Sequence, residues 1–183
     1  LVFLFQLDDD VDLDIVDSFE FFEQDGTQTI DHRPNPETGR TYRQDMVTWV
    51  LRIADYARAQ RPAFRVIPQN GSQLLADAAY VRAIDAIGIE DLFSHDNARQ
   101  PAGHVAYVTQ CLKPAVAAGT PVLLLESPSA AGLSADVAAS ARARGYTLLV
   151  TDRPLATLGA ARLSGLREPP AQPLNTIPAR RPE

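Results

Sequence analysis

The stretch DDDVDLDIVDSFEFFE, residues 8–23, sets Asp8, Asp9, Asp10, Asp12, Asp14 and Asp17 close together and follows them with Glu20 and Glu23. Carboxylates at this density can ligate a hard cation, attack phosphorus, act in pairs on a glycosidic bond, or simply face water. A calcium loop of the EF-hand kind needs a glycine at its sixth place and a glutamate at its twelfth. Counted from Asp8 those places hold Leu13 and Phe19, so the calcium reading fails where the geometry is strictest. A haloacid-dehalogenase-type phosphohydrolase needs Asp-x-Asp after an apolar strand, the first Asp being the nucleophile. DLDIV, residues 12–16, fits the letters, and Ser127 after VLLLE imitates a second motif. The residues in front, DDDV, are not an apolar strand, and no suitable lysine or late Asp pair follows.

The remaining chemistry is a carboxylate pair. In glycoside hydrolysis one carboxylic acid protonates the leaving oxygen, while a second carboxylate acts as nucleophile or as base for water. Asp14 and Glu90 stand at the ends of segments that read as strands two apart, which puts their backbones about 10 Å from each other. Side chains converging across the mouth close that gap to a working range, and both the retaining and the inverting separation stay open.

In parallel α/β folds such side chains gather at the carboxyl ends of strands. Asp14 and Asp17 follow the first such segment, Gln69 and Asn70 the second, Glu90 and Asp91 the third, Glu126 the fourth and Asp152 the fifth. Acids and amides with hardly a cation among them suit a ligand rich in hydroxyl groups, to which they both donate and accept. Taken singly, each also suits a turn or a helix cap. Asn70 before Gly71 is the clearest turn, and Asp152 before Arg153-Pro154 a plausible cap. Cys111 is the only cysteine, which excludes an internal disulfide and a thiolate zinc site. His32, His95 and His104 fall at no metal-ligand spacing, so no metal and no cofactor is expected.

The elements that must hold these residues alternate. YRQDMVTWVLRIADYARAQ has a helical stripe of Met46, Val47, Val50, Leu51, Ile53 and Ala54. AFRVIPQNG reads as a strand, SQLLADAAYVRA as a helix capped by Ser72, and IDAIGIEDLF as a short apolar segment. VAYVTQCLKPAVAAG predicts a helix closed by Gly119. TPVLLLES and YTLLVTD read as buried strands, with a helix capped by Ser134 between them and a last helix begun by Pro154. Continuously apolar strands alternating with helices mean a parallel sheet covered on its outside. About five strand–helix units are present, and a closed eightfold barrel takes about 250 residues. The fold class is therefore α/β, either a partial (β/α)8 TIM barrel or an open doubly wound parallel sheet.

Residues 1–164 read as one domain and 165–183, with five prolines, as a disordered tail. The chain has 183 residues, 45% of them hydrophobic, and a net charge of −6. A nucleic-acid partner is not expected, because phosphate binding needs a basic stripe and none is present. A membrane partner is not expected either, since no apolar run approaches the length of a span. LVFLFQ has no basic region before it and makes a poor signal peptide. A chain that opens on Leu1 reads as a processed product or a fragment.

The segment DDVDLDIVDSFEFFE resembles a strand-and-turn block of the endo-α-1,4-polygalactosaminidase-like TIM barrels, glycoside hydrolase family 114 and its relatives. FRVIPQNGSQLL, IDAIGIEDLF, AAGTPVLLLE and ARGYTLLVTDRPLATL resemble that family's fifth to eighth strands, in order, over roughly residues 7–160. The resemblance implies an extracellular or periplasmic barrel that hydrolyses an α-1,4-linked galactosamine polysaccharide. It implies Asp14 as nucleophile or base and Glu90 as general acid, with Asp9, Asp17, Gln69, Asn70 and Glu126 lining the sugar site. It also places strands one to three outside this chain, which leaves open sheet edges for self-association. The chain departs from the pattern at Asp10, where the family has Gly, at Asp12, where it has an apolar residue, and at Ala86, Ser94 and Ser127. A noncatalytic carbohydrate-binding remnant is the alternative, and a haloacid-dehalogenase-type phosphohydrolase the second.

Overall fold

The structure is a computed structural model that describes residues 4–7 and 10–151. Asp9, Asp152, the helix expected from Pro154 and the tail expected at 165–183 lie outside the described residues. The chain opens with strands β1 (Leu4–Leu7) and β2 (Asp10–Leu13), a short helix α1 (Phe19–Phe22) and a small hairpin of β3 (Gln24–Asp25) and β4 (Gln28–Thr29). Helix α2 (Tyr42–Gln60) leads to β5 (Arg65–Pro68), and α3 (Ala78–Ala83) to β6 (Ile87–Glu90). A second small hairpin, β7 (Ser94–His95) and β8 (Ala98–Arg99), precedes α4 (Ala102–Ala118), β9 (Val122–Glu126), α5 (Ala131–Arg144) and β10 (Thr147–Val150).

Five of these strands run parallel, and they lie side by side in chain order. β2 pairs with β5, Val11 opposite Val66. A single bridge, Gln69 to Gly88, carries the sheet from β5 to β6. β6 pairs with β9 and β9 with β10. A doubly wound sheet needs its strand order to reverse at a switch point, and among the described strands no reversal occurs. The architecture is a mixed α/β, barrel-like wall.

Leu4–Leu7, within the apolar start that the sequence marks only as a poor signal peptide, is a strand. β1 lies antiparallel on the outer edge of β2, Leu4 opposite Leu13 and Leu7 opposite Asp10. Alternation along the strands sorts side chains onto two faces. Val11 and Leu13, Ile87 and Ile89, and Val122 and Leu124 are buried against the helices. The opposite, inner face carries Asp10, Asp12, Ile67, Gln69, Gly88, Glu90, Leu123 and Leu125. At its lower end Arg65 grips Asp10 with Nε to Oδ1 at 2.5 Å and Nη2 to Oδ2 at 2.7 Å, across paired positions of β2 and β5.

Two helices, α2 and α3, start where a side chain satisfies their free N–H groups. Thr41 and Gln44 form a reciprocal capping box at the start of α2. That helix buries Val47, Val50 and Ala54, while Met46, Leu51 and Ile53 are half-buried against the core. α4 ends at Gly119, whose φ of +77° is the left-handed conformation the sequence position predicts. Two caps differ from expectation. Ser72 begins a five-residue 3-10 turn, and Asp77 caps α3 by accepting from the N–H groups of Ala79 and Tyr80. An Asp can accept from two successive amides, and that breaks the expected longer helix at residue 77. α5 begins at Ala131, so Ser134 lies inside it and donates its hydroxyl to the Pro128 carbonyl instead. Cys111 is a free, half-buried thiol in α4.

Candidate functional site

The carboxyl ends of β2, β5 and β6 open into a cavity of about 670 Å³. Asp17, Glu20, Glu23, Asp31, Glu90 and Asp91 line it, with Arg43 and His104 as its basic members and Asn70, Ser72, Gln73 and Tyr107 as polar ones. Asp14 and Asp17 arrive by a definite backbone device. After β2 the chain turns through Ile15, at φ +59°, and the Asp14 carboxylate accepts the Ile15 N–H at 2.8 Å. The 3-10 turn Val16–Ser18 then presents Asp17. After β5 the chain turns through Asn70, at φ +63°, and Gly71, at φ +61°. Asn is among the few side chains that tolerate this region.

Asn70 is held against β6 and in turn holds Glu90. Its N–H donates to the Gly88 carbonyl at 2.8 Å, its Oδ1 accepts the Glu90 N–H at 3.0 Å, and its Nδ2 donates to Glu90 Oε2 at 3.4 Å. Gln69 lies flat over β6 at Gly88, where an added Cβ would stand 1.8 Å from Gln69 Oε1. The Gln69 Nε2 is buried without a hydrogen-bond partner. β5 runs between β2 and β6, so Asp14 and Glu90 do stand on strands two apart. Both lie close enough to raise the proton affinity of Asp12 and of Asp17.

Of the residues singled out in the sequence, Asp17, Asn70 and Glu90 line the cavity, and Asp14 and Gln69 stand at the strand ends beside it. Glu126 does not join them. It is 1% exposed and shares the helix-facing side of β9 with Val122 and Leu124. One oxygen accepts the Phe93 N–H at 2.7 Å, and the other the N–H and hydroxyl of Ser94 at 3.1 and 2.6 Å. Burial raises its pKa and the three donors oppose that rise. A carboxylate so held fixes the chain after β6 and lies outside the residues that line the cavity.

Three arrangements escape a reading of the sequence. The first is Asp12, whose place on the inner face needs the register of β2. Burial first, then the charges of Asp14 and Glu90, together raise its pKa to about 6. Burial likewise raises Asp17, with Glu20 contributing next. The second is Glu23, fully buried, which accepts the His32 N–H and two donors from Arg43, Nε at 3.0 Å and Nη2 at 2.7 Å. Arg43 also reaches Asp31 at 2.5 Å and lies 5.5 Å over the Phe19 ring. Two carboxylates on one guanidinium keep the cavity acidic. The third is His95, whose Nδ1 is 2.7 Å from Asp91 Oδ2 and whose Nε2 is 3.2 Å from Asp96. The hairpin that carries His95 is tied down by Asn97, which accepts from the N–H and hydroxyl of Ser129, and by Arg99, paired with Asp136. Among the described residues no group of three or more His, Cys, Asp or Glu is arranged to hold a metal, and no helix is long and apolar enough to cross a membrane.

No protein-family model matches the chain. A Deinococcus radiodurans protein described as uncharacterized is 32% identical over 148 residues, which covers 80% of this chain and 44% of that protein. A Thermotoga maritima protein, also described as uncharacterized, is 32% identical over 83 residues, covering 44% of this chain and 23% of that protein. The chain thus spans less than half the length of either relative. Among solved structures, the glycoside hydrolase domain of PelA from Pseudomonas aeruginosa superposes with a TM-score of 0.58 at 18% identity, over 81% of this chain and 55% of that one. The described chain therefore has a glycoside hydrolase-like fold.

Proposed function

We propose that the cavity is the site of a glycosidase that cleaves an α-1,4-linked galactosamine-type polysaccharide, as the endo-α-1,4-polygalactosaminidases do. Glu90 is the general acid and Asp14 the nucleophile or the base for water. Asp17, Gln69 and Asn70 hold sugar hydroxyls. The observation that carries this reading is the two-point grip of Asn70 on Glu90. It fixes one carboxylate at the end of β6 while another ends β2, on the far side of β5. Support comes also from the acidity of the lining, which favours a ligand with ammonium groups, and from the glycoside hydrolase-like fold. Such a polymer lies outside the cell, so export of the protein is part of the proposal.

A second reading, a domain that binds the polysaccharide without cutting it, is favoured by Leu123 and Leu125. They are only half-buried on the inner face, so the described wall leaves that face open. The outer edges of β1 and β10 are unpaired among the described strands, and self-association through them belongs to the same picture. The haloacid-dehalogenase-type reading is less well served. Asp12, its nucleophile, lies within β2 with one oxygen buried, not at the strand's end.

The experiment is to mix the protein with galactosamine oligomers of defined length, measure binding by calorimetry, and follow chain length by mass spectrometry. Binding with shortening supports the hydrolase. Binding with no change of length selects the binding domain, and neither sinks both.

A further inference from the structure

We propose that Asp12 is a positioning residue for this site, a proton-holding carboxyl beneath Asp14 and Glu90 that sets how negative the pair's surroundings are. The proposal rests on the site assigned above. It concerns a position where the resembling family carries an apolar residue, so nothing in that resemblance assigns it.

The geometry comes first. β2 is in parallel register with β5, Asp10 opposite Arg65 and Asp12 opposite Ile67. Residues 10 and 12 therefore share the inner face, and Asp14 follows one residue past the strand. Asp10 is neutralised by Arg65 one step below. Among the described residues Asp12 has no such partner. Its neighbour across β5 is Ile67, and its neighbour on β1 is Phe5. The sequence of β1, LFQL, brings no charge. The charged groups that reach it are Asp14, just past the end of β2, and Glu90 on β6, both acidic. Its Oδ1 is buried with no hydrogen-bond partner.

An orphaned carboxylate oxygen flanked by two acids is unfavourable when ionised and acceptable when protonated. The direction of its pKa agrees, raised by burial first and by Asp14 and Glu90 next. At mildly acidic pH the inner face then carries one negative charge fewer than at neutral pH. A cationic amino sugar in the adjoining cavity meets a stronger field as Asp12 loses its proton, while an N-acetylated sugar does not.

The test is a carboxyl carbon NMR titration of wild type, Asp12→Asn, Asp14→Asn and Glu90→Gln. One aspartate is expected to titrate near pH 6, to vanish in Asp12→Asn, and to move to lower pH in each of the other two variants. A spectrum with no carboxyl assigned to Asp12 titrating above pH 5, or an Asp12 midpoint indifferent to both neighbours, overturns the proposal. Should Asp12→Asn fold poorly, Asp12→Leu, the apolar residue type of the resembling family, serves in its place.

A second arm measures affinity for a glucosamine or galactosamine oligomer against its N-acetylated form from pH 5 to 7. The ratio is expected to rise about fivefold more in wild type than in Asp12→Asn, the effect of about 1 kcal/mol of charge attraction, the slope left in the variant belonging to Asp17, whose pKa burial also raises. Equal slopes in the two proteins overturn it. Hydrolysis enters neither arm, so an inactive protein that titrates as described would sink the glycosidase reading and leave this one standing.

Discussion

Asn70 and Glu90 are joined twice, by the Glu90 N–H donating to Asn70 Oδ1 at 3.0 Å and by Asn70 Nδ2 donating to Glu90 Oε2 at 3.4 Å. The first bond is a backbone anchor and the second points the carboxylate. Because Asn70 is at φ +63°, its replacement tests two things at once, which glycine separates. Asn70→Ala is expected to cost about 2 kcal/mol, from the left-handed backbone and the lost bonds together. Asn70→Gly relieves the backbone part and is expected to cost about half of that, yet to lower turnover about tenfold. Chemical denaturation beside steady-state rates checks this. Full activity in Asn70→Gly would show that the grip on Glu90 is not needed.

Gly88 and Gln69 make a second coupled pair. A methyl group at 88 would meet Gln69 Oε1 at 1.8 Å, and the glutamine must swing away to admit it. Gly88→Ala is expected to destabilise by about 1–2 kcal/mol. In a Gln69→Ala background the same change should cost less than about 0.5 kcal/mol. A double-mutant cycle by denaturation reads the difference, and additive costs would mean that Gln69 does not lie on Gly88 in solution.

Asp12 gives stability a pH dependence whose sign is fixed. Its folded pKa, about 6, lies above the ordinary 3.8, so the folded protein holds the proton more tightly than the unfolded chain does. The stabilisation is complete below pH about 4 and is lost as pH rises through about 6. The full shift corresponds to about 3 kcal/mol. Partial solvent access reduces this to about 1 kcal/mol. Asp12→Asn should therefore be more stable than wild type at pH 7 by about that amount, and the gap should close by pH 4. Thermal unfolding across that range measures it, and a gap that widens on acidification would reverse the assignment.

Glu23 and Arg43 form the buried ion pair of the cavity wall. Arg43→Met removes the cation and leaves a carboxylate with 0% exposure. The expected cost is about 3–5 kcal/mol. Adding Glu23→Gln should recover part of it, because the uncompensated charge is then gone. Denaturation of the single and double variants decides, and no recovery would place the cost in lost packing over Phe19.

Much of the wall is legible in the sequence, because apolar runs and their alternation with helices carry it. TPVLLLES, YTLLVTD and AFRVIPQNG become β9, β10 and β5, and Gly119 closes α4 where a left-handed residue is needed. The edge strand β1 is not legible, since a short apolar start has no period to distinguish a strand from a leader. The roles of the individual acids were less legible still. Asp10, Asp12 and Asp14 look alike in sequence, and only the pairing of β2 with β5 gives the first an arginine, leaves the second unpartnered and sets the third at the strand's end. Glu126 follows an apolar strand just as Glu90 does. The face its side chain takes depends on where the Phe93–Ser94 amides lie, thirty-odd positions away in sequence.

The central claim is that Glu90 acts as the acid of a carboxylate pair, and the most direct measurement is the release of reducing ends from an α-1,4-linked galactosamine polymer by wild type and by Glu90→Gln. The account predicts measurable release by wild type and a fall of about a hundredfold or more in the variant, the scale of losing a general acid. Equal release from the two proteins, at background or above it, would contradict it.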